Sequence, residues 1–197
     1  GFIGTAWISK ALSDNGMSEE AYRLLQYEGY PSWLYPVKNG ATTIWERLNS
    51  YTVKDGFGEN NSMNSFNHYS FGAVASWMYN YSLGICRDEK SPGFKHFILK
   101  PEVDPTRGIT HAEGYYDSMY GRIRSRWQYT DSGIRYEFTV PANTTASLYL
   151  PAPAVSFISE NGKPLKKASG VRYVSADKEL HHLELASGSY QFDIKQK

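Results

Sequence analysis

Arg122-Ile123-Arg124-Ser125-Arg126-Trp127 runs to a turn at Asp131-Ser132-Gly133 and resumes as Ile134-Arg135-Tyr136-Glu137-Phe138-Thr139-Val140. Successive side chains of a strand point to opposite faces, so this alternation describes a hairpin with one apolar and one polar side. Trp127, Ile134, Tyr136 and Phe138 are the residues expected to enter a core. Further strands fit Lys95-His96-Phe97-Ile98-Leu99, closed by Pro101, and then Ala146 to Leu150, His182 to Leu185 and Tyr190 to Ile194. Short strands at regular spacing, punctuated by Pro and Gly, indicate an antiparallel β-sandwich.

Upstream of Ser91-Pro92-Gly93 the period changes. Trp7, Ile8, Ala11 and Leu12 share one helical face, with Ser9, Lys10 and Asp14 turned away, and Asn15-Gly16 ends the helix. Ser18 reads as the N-cap of a second helix, with Glu19 and Glu20 at the positive end of its dipole. Ala21, Leu24 and Leu25 form its stripe, and Gly29 follows. A third and longest helix is expected from about Ser65 to Leu83, with Gly84 as its stop. Phe66, Tyr69, Ala73, Val74, Trp77, Met78 and Tyr81 surround it on nearly all sides, which describes a helix buried between other helices. Three helices are too few for that, so Trp77, Met78 and Tyr81 should face neighbours that this sequence does not contain. The fold class is α + β in two segregated parts, a helical one over 1–88 and a β-sandwich over 89–197. The switch itself falls between Arg87 and Gly93.

Composition removes several functions. The net charge is +1 and the basic residues do not gather into a run, so the electrostatic footprint of a nucleic-acid binder is missing. No apolar stretch approaches the ~20 residues that span a bilayer. Cys86 is alone, so no internal disulfide is possible, and it reads as a buried, inert thiol. Aromatic residues reach 15% of the chain, a bias that suits sugar stacking and ordinary cores alike. The chain opens on Gly1 without an initiator Met or a leader, and reads as cut from something larger, which leaves the compartment open.

Two stretches could carry chemistry. Tyr30-Pro31-Ser32-Trp33-Leu34-Tyr35-Pro36 and Gly40-Ala41-Thr42-Thr43-Ile44-Trp45-Glu46 place aromatics and a carboxylate on what reads as irregular backbone rather than helix. A carboxylate beside Trp45 would be partly desolvated, which tunes it for proton transfer. Read locally, Glu46 is equally a surface carboxylate paired with Arg47, and Trp33 and Trp45 are equally core residues. The second stretch is Asn64-Ser65-Phe66-Asn67-His68-Tyr69. Its His68 would sit in the first turn of the long helix as a neutral imidazole able to meet a sugar hydroxyl, or else serve as a capping or core histidine. Asn60-Asn61-Ser62, Asn80-Tyr81-Ser82 and Asn143-Thr144-Thr145 are glycosylation triplets by letter only. No glycine loop for phosphate and no paired Cys for zinc occurs. His181 and His182 are adjacent on a strand and face opposite sides, so neither a metal nor a cofactor is expected.

At these motifs the chain resembles the bacterial α-L-rhamnosidases of glycoside hydrolase family 78. The resemblance rests on Gly40 to Glu46, on Met63-Asn64-Ser65-Phe66-Asn67-His68-Tyr69, and on Gly72-Ala73-Val74. It extends to Gly1, Phe2, Gly4 and Thr5, to Tyr30-Pro31-Ser32-Trp33, and in the second half to Gly121, Ser125, Trp127 and Pro141 to Ala146. It implies that the first part is the C-terminal end of an (α/α)6 barrel. It also implies inverting hydrolysis of a rhamnose-containing carbohydrate, with Glu46 the general base and His68 a sugar contact beside Trp45 and Trp33. The general acid would lie upstream of Gly1, on the missing N-terminal part. Asp55 and Glu59 are the other carboxyls near enough in sequence to weigh for that role. Two other classes stay open: a non-catalytic carbohydrate-binding or packing module, and another (α/α)6-barrel glycosidase of fucosidase-like type.

Overall fold

A computed structural model describes residues 1–58, 62 and 64–195. Glu59, Asn60, Asn61 and Met63, on which part of the sequence reading falls, lie outside the described residues. The chain divides into two compact units, Gly1–Trp77 with Asp104–Gly108, and Met78–Val103 with Ile109–Lys197. Helices are followed by a β domain of two mostly antiparallel sheets, as the change of period indicates.

The first unit holds α1 (Phe2–Thr5), α2 (Ile8–Asp14), α3 (Ser18–Gln26), α4 (Leu34–Lys38), a 3₁₀ turn (Ser70–Ala73) and α5 (Val74–Trp77). Its core is the reverse of the face read for α2. Ser9 and Ser13 are buried, whereas Trp7 is 61% and Ile8 45% exposed. Small serines let the backbone of α2 come close to Trp77, whose Nε1 donates to Ser13 Oγ at 2.9 Å. Trp77 also meets the buried Tyr22 edge-on at 5.0 Å, so it is covered within its own unit rather than left open. Asp104 is fully buried and pins 104–108 to the end of α3. It accepts Gln26 Nε2 at 2.8 Å, Thr106 N at 2.9 Å and Thr106 Oγ1 at 2.8 Å.

Two other helical expectations are corrected. The stretch Leu34–Lys38 is a short helix despite Pro36, because a proline in the first turn removes only an N–H that has no intrahelical partner. Ser32 Oγ accepts Tyr35 N at 3.0 Å and caps that turn. The helix expected from Ser65 to Leu83 starts at Ser70 and passes from 3₁₀ to α to a π turn at Met78–Ser82. Residues 65–68 cannot be helical, since their backbone is committed to the segment around Glu46.

The second unit contains β1 (Ile85–Arg87), β2 (His96–Leu99), β3 (His111–Ser118), β4 (Gly121–Thr130), β5 (Gly133–Val140), β6 (Thr145–Pro151), β7 (Ile158–Glu160), β8 (Lys163–Pro164), β9 (Val171–Asp177), β10 (Leu180–Leu185) and β11 (Gly188–Lys195). One sheet runs β1-β2-β6-β10-β9 and the other β3-β4-β5-β11-β7-β8. All pairings are antiparallel except β2 with β6. The quoted hairpin is β4–β5, in register with Trp127 opposite Tyr136 and Ser125 opposite Phe138. Trp127, Ile134, Tyr136 and Phe138 are all buried, joined by Phe97, Leu99, Ile123, Leu148, Leu150, Leu183, Leu185 and Phe192. Each such side chain contributes about 1.5–3 kcal/mol when removed from water. Trp127 Nε1 donates to Ser82 O at 2.8 Å and Ser125 Oγ to Leu83 O at 2.6 Å, so these two buried donors are satisfied by the strand-leading segment.

Gly84 ends that segment at φ 67°, and a Cβ there would collide with the backbone of Lys100 and Pro101, so the stop needs glycine on both counts. Cys86 is only half-buried, with Sγ 3.0 Å from Asn80 O. His181 is buried, bonded to Ala152 O at 3.1 Å and close to Tyr173 OH, while His182 faces the other way toward Glu184 at 2.9 Å. No helix among the described residues is long and apolar enough to cross a membrane.

Candidate active site

Glu46 sits where two irregular segments of the first unit pair through their backbones. Glu46 N donates to Ser65 O and His68 N to Ile44 O, both at 2.8 Å, and Thr43 Oγ1 donates to Phe66 O. The Glu46 carboxylate joins the same pairing, its Oε2 accepting Ser65 N at 2.8 Å. Backbone and side chain of one residue are thus bonded to the N–H and C=O of another. That hydrogen bond anchors one oxygen of the carboxylate. The local alternative of an ion pair with Arg47 is not what orients it.

Glu46 lines a cavity of about 610 Å³. Its apolar wall includes Phe2, Ile8, Trp33 and Phe71, and its polar groups include Ser32, Arg47 and Asn49 beside Glu46. Trp33 is held by its Nε1, which donates to Phe71 O at 2.8 Å, so the indole is a fixed part of the wall. An apolar concavity with a few convergent polar groups is the usual form of a small-ligand site.

Trp45 and His68 are placed differently from Glu46 and Trp33. Trp45 is 6% exposed, edge-on to Phe66 at 5.3 Å and to Tyr51 at 6.5 Å, within an aromatic cluster that continues to Phe57. It backs the Glu46 segment and does not line the cavity. His68 precedes the helical turn rather than lying in it. Its ring is stacked between Phe2, at 4.8 Å and 17°, and Tyr69, at 5.6 Å and 4°. Its Nδ1 accepts Ser70 N at 3.3 Å, which assigns the proton of a neutral ring to Nε2 and leaves that N–H as a donor. Phe2 connects it to the cavity wall. Asp55 is exposed in a tight turn, where Thr52 Oγ1 accepts its N–H at 2.9 Å. Sequence reasoning did not single out Ser65, because its contribution is a backbone N–H and leaves no side-chain signature. Asn49 and Phe71 were also passed over, each being unremarkable until the fold gathers it. Among the described residues no group of three or more His, Cys, Asp or Glu is placed to hold a metal ion.

The bacterial alpha-L-rhamnosidase 6 hairpin glycosidase domain matches residues 1–82, and the bacterial alpha-L-rhamnosidase C-terminal domain matches residues 84–164. The chain belongs to the bacterial α-L-rhamnosidase family. An alpha-L-rhamnosidase of Alteromonas sp. (strain LOR) is 36% identical over 98% of this chain, which spans 19% of that relative. The crystal structure of Streptomyces avermitilis alpha-L-rhamnosidase complexed with L-rhamnose is 34% identical with a TM-score of 0.86, covering 99% of this chain and 18% of the other. The α-L-rhamnosidase structure from Dictyoglumus thermophilum is 26% identical with a TM-score of 0.82, covering 100% of this chain and 21% of the other. The chain therefore spans about a fifth of the length of the relatives it matches, over the end of the six-hairpin domain and the β domain that follows.

Proposed function

We propose that this chain carries the water-activating carboxylate and part of the sugar-facing wall of an inverting α-L-rhamnosidase that releases terminal α-L-rhamnose. The observation that carries the reading is Glu46, anchored through Oε2 on Ser65 N–H and lining a cavity walled by Phe2, Trp33 and Phe71. A general base needs a fixed oxygen within reach of the water it deprotonates. With Oε2 held, Oε1 is the oxygen assigned to that water. The apolar wall suits the C–H face of a sugar, and His68 Nε2–H is a donor for one of its hydroxyls. Trp45 supports the base from behind. That one relative was crystallised with L-rhamnose favours this sugar over others.

Inverting hydrolysis also needs an acid on the leaving-group side, with the two carboxyls roughly 6.5–9.5 Å apart so that water fits on the far face of the ring. We assign that acid to the upstream part of the full-length protein, outside this segment. The test is the anomer first released from an aryl α-L-rhamnoside by the full-length protein, followed by NMR. β-L-Rhamnose should appear first and then mutarotate. Initial release of the α anomer would overturn the inverting assignment.

A further inference from the structure

We propose that Ser50 and Asn64 are positioning residues that hold Glu46 in its working orientation, an inference that rests on Glu46 being the base. The side chain of Asn64 reaches across to the Glu46 segment. Its Nδ2 donates to Ser50 O at 3.1 Å, and its Oδ1 lies within hydrogen-bond reach of the Ser50 hydroxyl. Ser50 is 1% exposed, and its Oγ also faces both ends of the Arg47 peptide units, accepting Arg47 N at 3.2 Å and lying 2.8 Å from Arg47 O. Ser50 N donates to Arg47 O at 3.1 Å. The turn 47–50 is therefore closed on itself and clasped to Asn64.

Both ends of this clasp adjoin the catalytic pairing. Arg47 follows Glu46 and Asn64 precedes Ser65, whose N–H holds Glu46 Oε2. Neither Ser50 nor Asn64 bonds the carboxylate, so each acts through the position of Ser65 N–H relative to Glu46. A part-buried, reciprocal bond pair, next to Ser65 on one side and joined to Glu46 through the 47–50 turn on the other, fixes that distance, whereas an exposed loop held only by its own backbone would let it drift. Misplacement of a reacting group by about 1 Å costs on the order of 10²-fold in rate. Ser50 and Asn64 do not themselves line the cavity, so the loss should fall mainly on kcat.

The experiment compares Asn64→Ala, Ser50→Ala and the double variant in the full-length protein, on an aryl α-L-rhamnoside, with Glu46→Gln alongside. Asn64→Ala and Ser50→Ala should each lower kcat by about 10- to 100-fold, with KM within about twofold. The double variant should be no slower than the slower single one, because two halves of one clasp act as a unit. Asn64→Asp keeps the acceptor for the Ser50 hydroxyl and loses the donor, so it should fall between Asn64→Ala and the parent. It also serves as the test if Asn64→Ala does not fold. A kcat within twofold of the parent in folded Asn64→Ala or Asn64→Asp would overturn the proposal, as would single losses that multiply in the double variant. If those variants stay active while Glu46→Gln is inactive, the clasp alone falls. If Glu46→Gln is itself active, the reading of the base falls and the clasp with it.

Discussion

The helical unit and the β unit differ in how they treat large apolar side chains. In the β unit Trp127, Tyr136, Phe138, Phe97 and Phe192 are all but inaccessible, and the exposed large apolar side chains lie mainly on β3 and its turn into β4, at Tyr115, Tyr116, Met119 and Tyr120, and on β9, at Tyr173 and Val174. In the helical unit Trp7, Tyr69, Val53 and Val37 are more than half exposed, and Phe2, Ile8 and Ile44 nearly half. Scattered exposed apolar residues are ordinary, but a set of this size on a small unit marks a surface made to be covered. One unit completes its own core. The other leaves Phe2 and Ile8 partly exposed beside the cavity that Glu46 lines.

The widest test of that contrast is to separate the two. Residues 78–197 expressed alone should melt cooperatively as a monomer, whereas residues 1–82 alone should associate or bind a hydrophobic dye and show no sharp transition. A monomeric, cooperatively melting helical piece would break the comparison. Within the β unit, Trp127→Ala should cost about 3–5 kcal/mol, from lost burial and the cavity left behind, measured by denaturant unfolding of the isolated unit. It should leave the chemistry of the folded full-length protein unchanged. Within the helical unit, His68→Ala should do the opposite, raising KM and moderately lowering kcat as a sugar hydroxyl loses a donor worth about 1–3 kcal/mol, with little change in melting temperature. A large drop in stability with KM unaltered would make His68 a structural residue.

The β unit was the more legible in sequence, and the reason is physical. Strands β4, β5, β10 and β11 each bury one face, so alternation marks them directly. β9 was not read as a strand because six of its seven residues are exposed and no face is selected. β1, β7 and β8 are too short to show a period, and β3 is interrupted by Gly114 and consecutive exposed tyrosines. In the helical unit hydrophobicity misled. The buried face of α2 is Ser9 and Ser13, chosen by close packing against Trp77, whereas Ile8 and Ala11 are exposed. Residues 65–68 read as the start of a helix, yet Ser65 pairs with Glu46, Phe66 O accepts Thr43 Oγ1 and His68 N donates to Ile44 O. Glu46 and Trp33 were legible as candidates by their motifs. The way Ser65 orients Glu46 was not, since it is carried by main-chain atoms.

Whether Glu46 activates water is read from kcat of Glu46→Gln in the full-length protein on an aryl α-L-rhamnoside. The amide keeps the shape and can still accept from Ser65 N–H, but it cannot take a proton from water. Glu46→Gln should keep its fold and lose activity at or above the upper end of the roughly 10²–10⁴-fold range of general acid–base groups. Retention of more than about a tenth of the parent kcat, against that range, would remove Glu46 from the role.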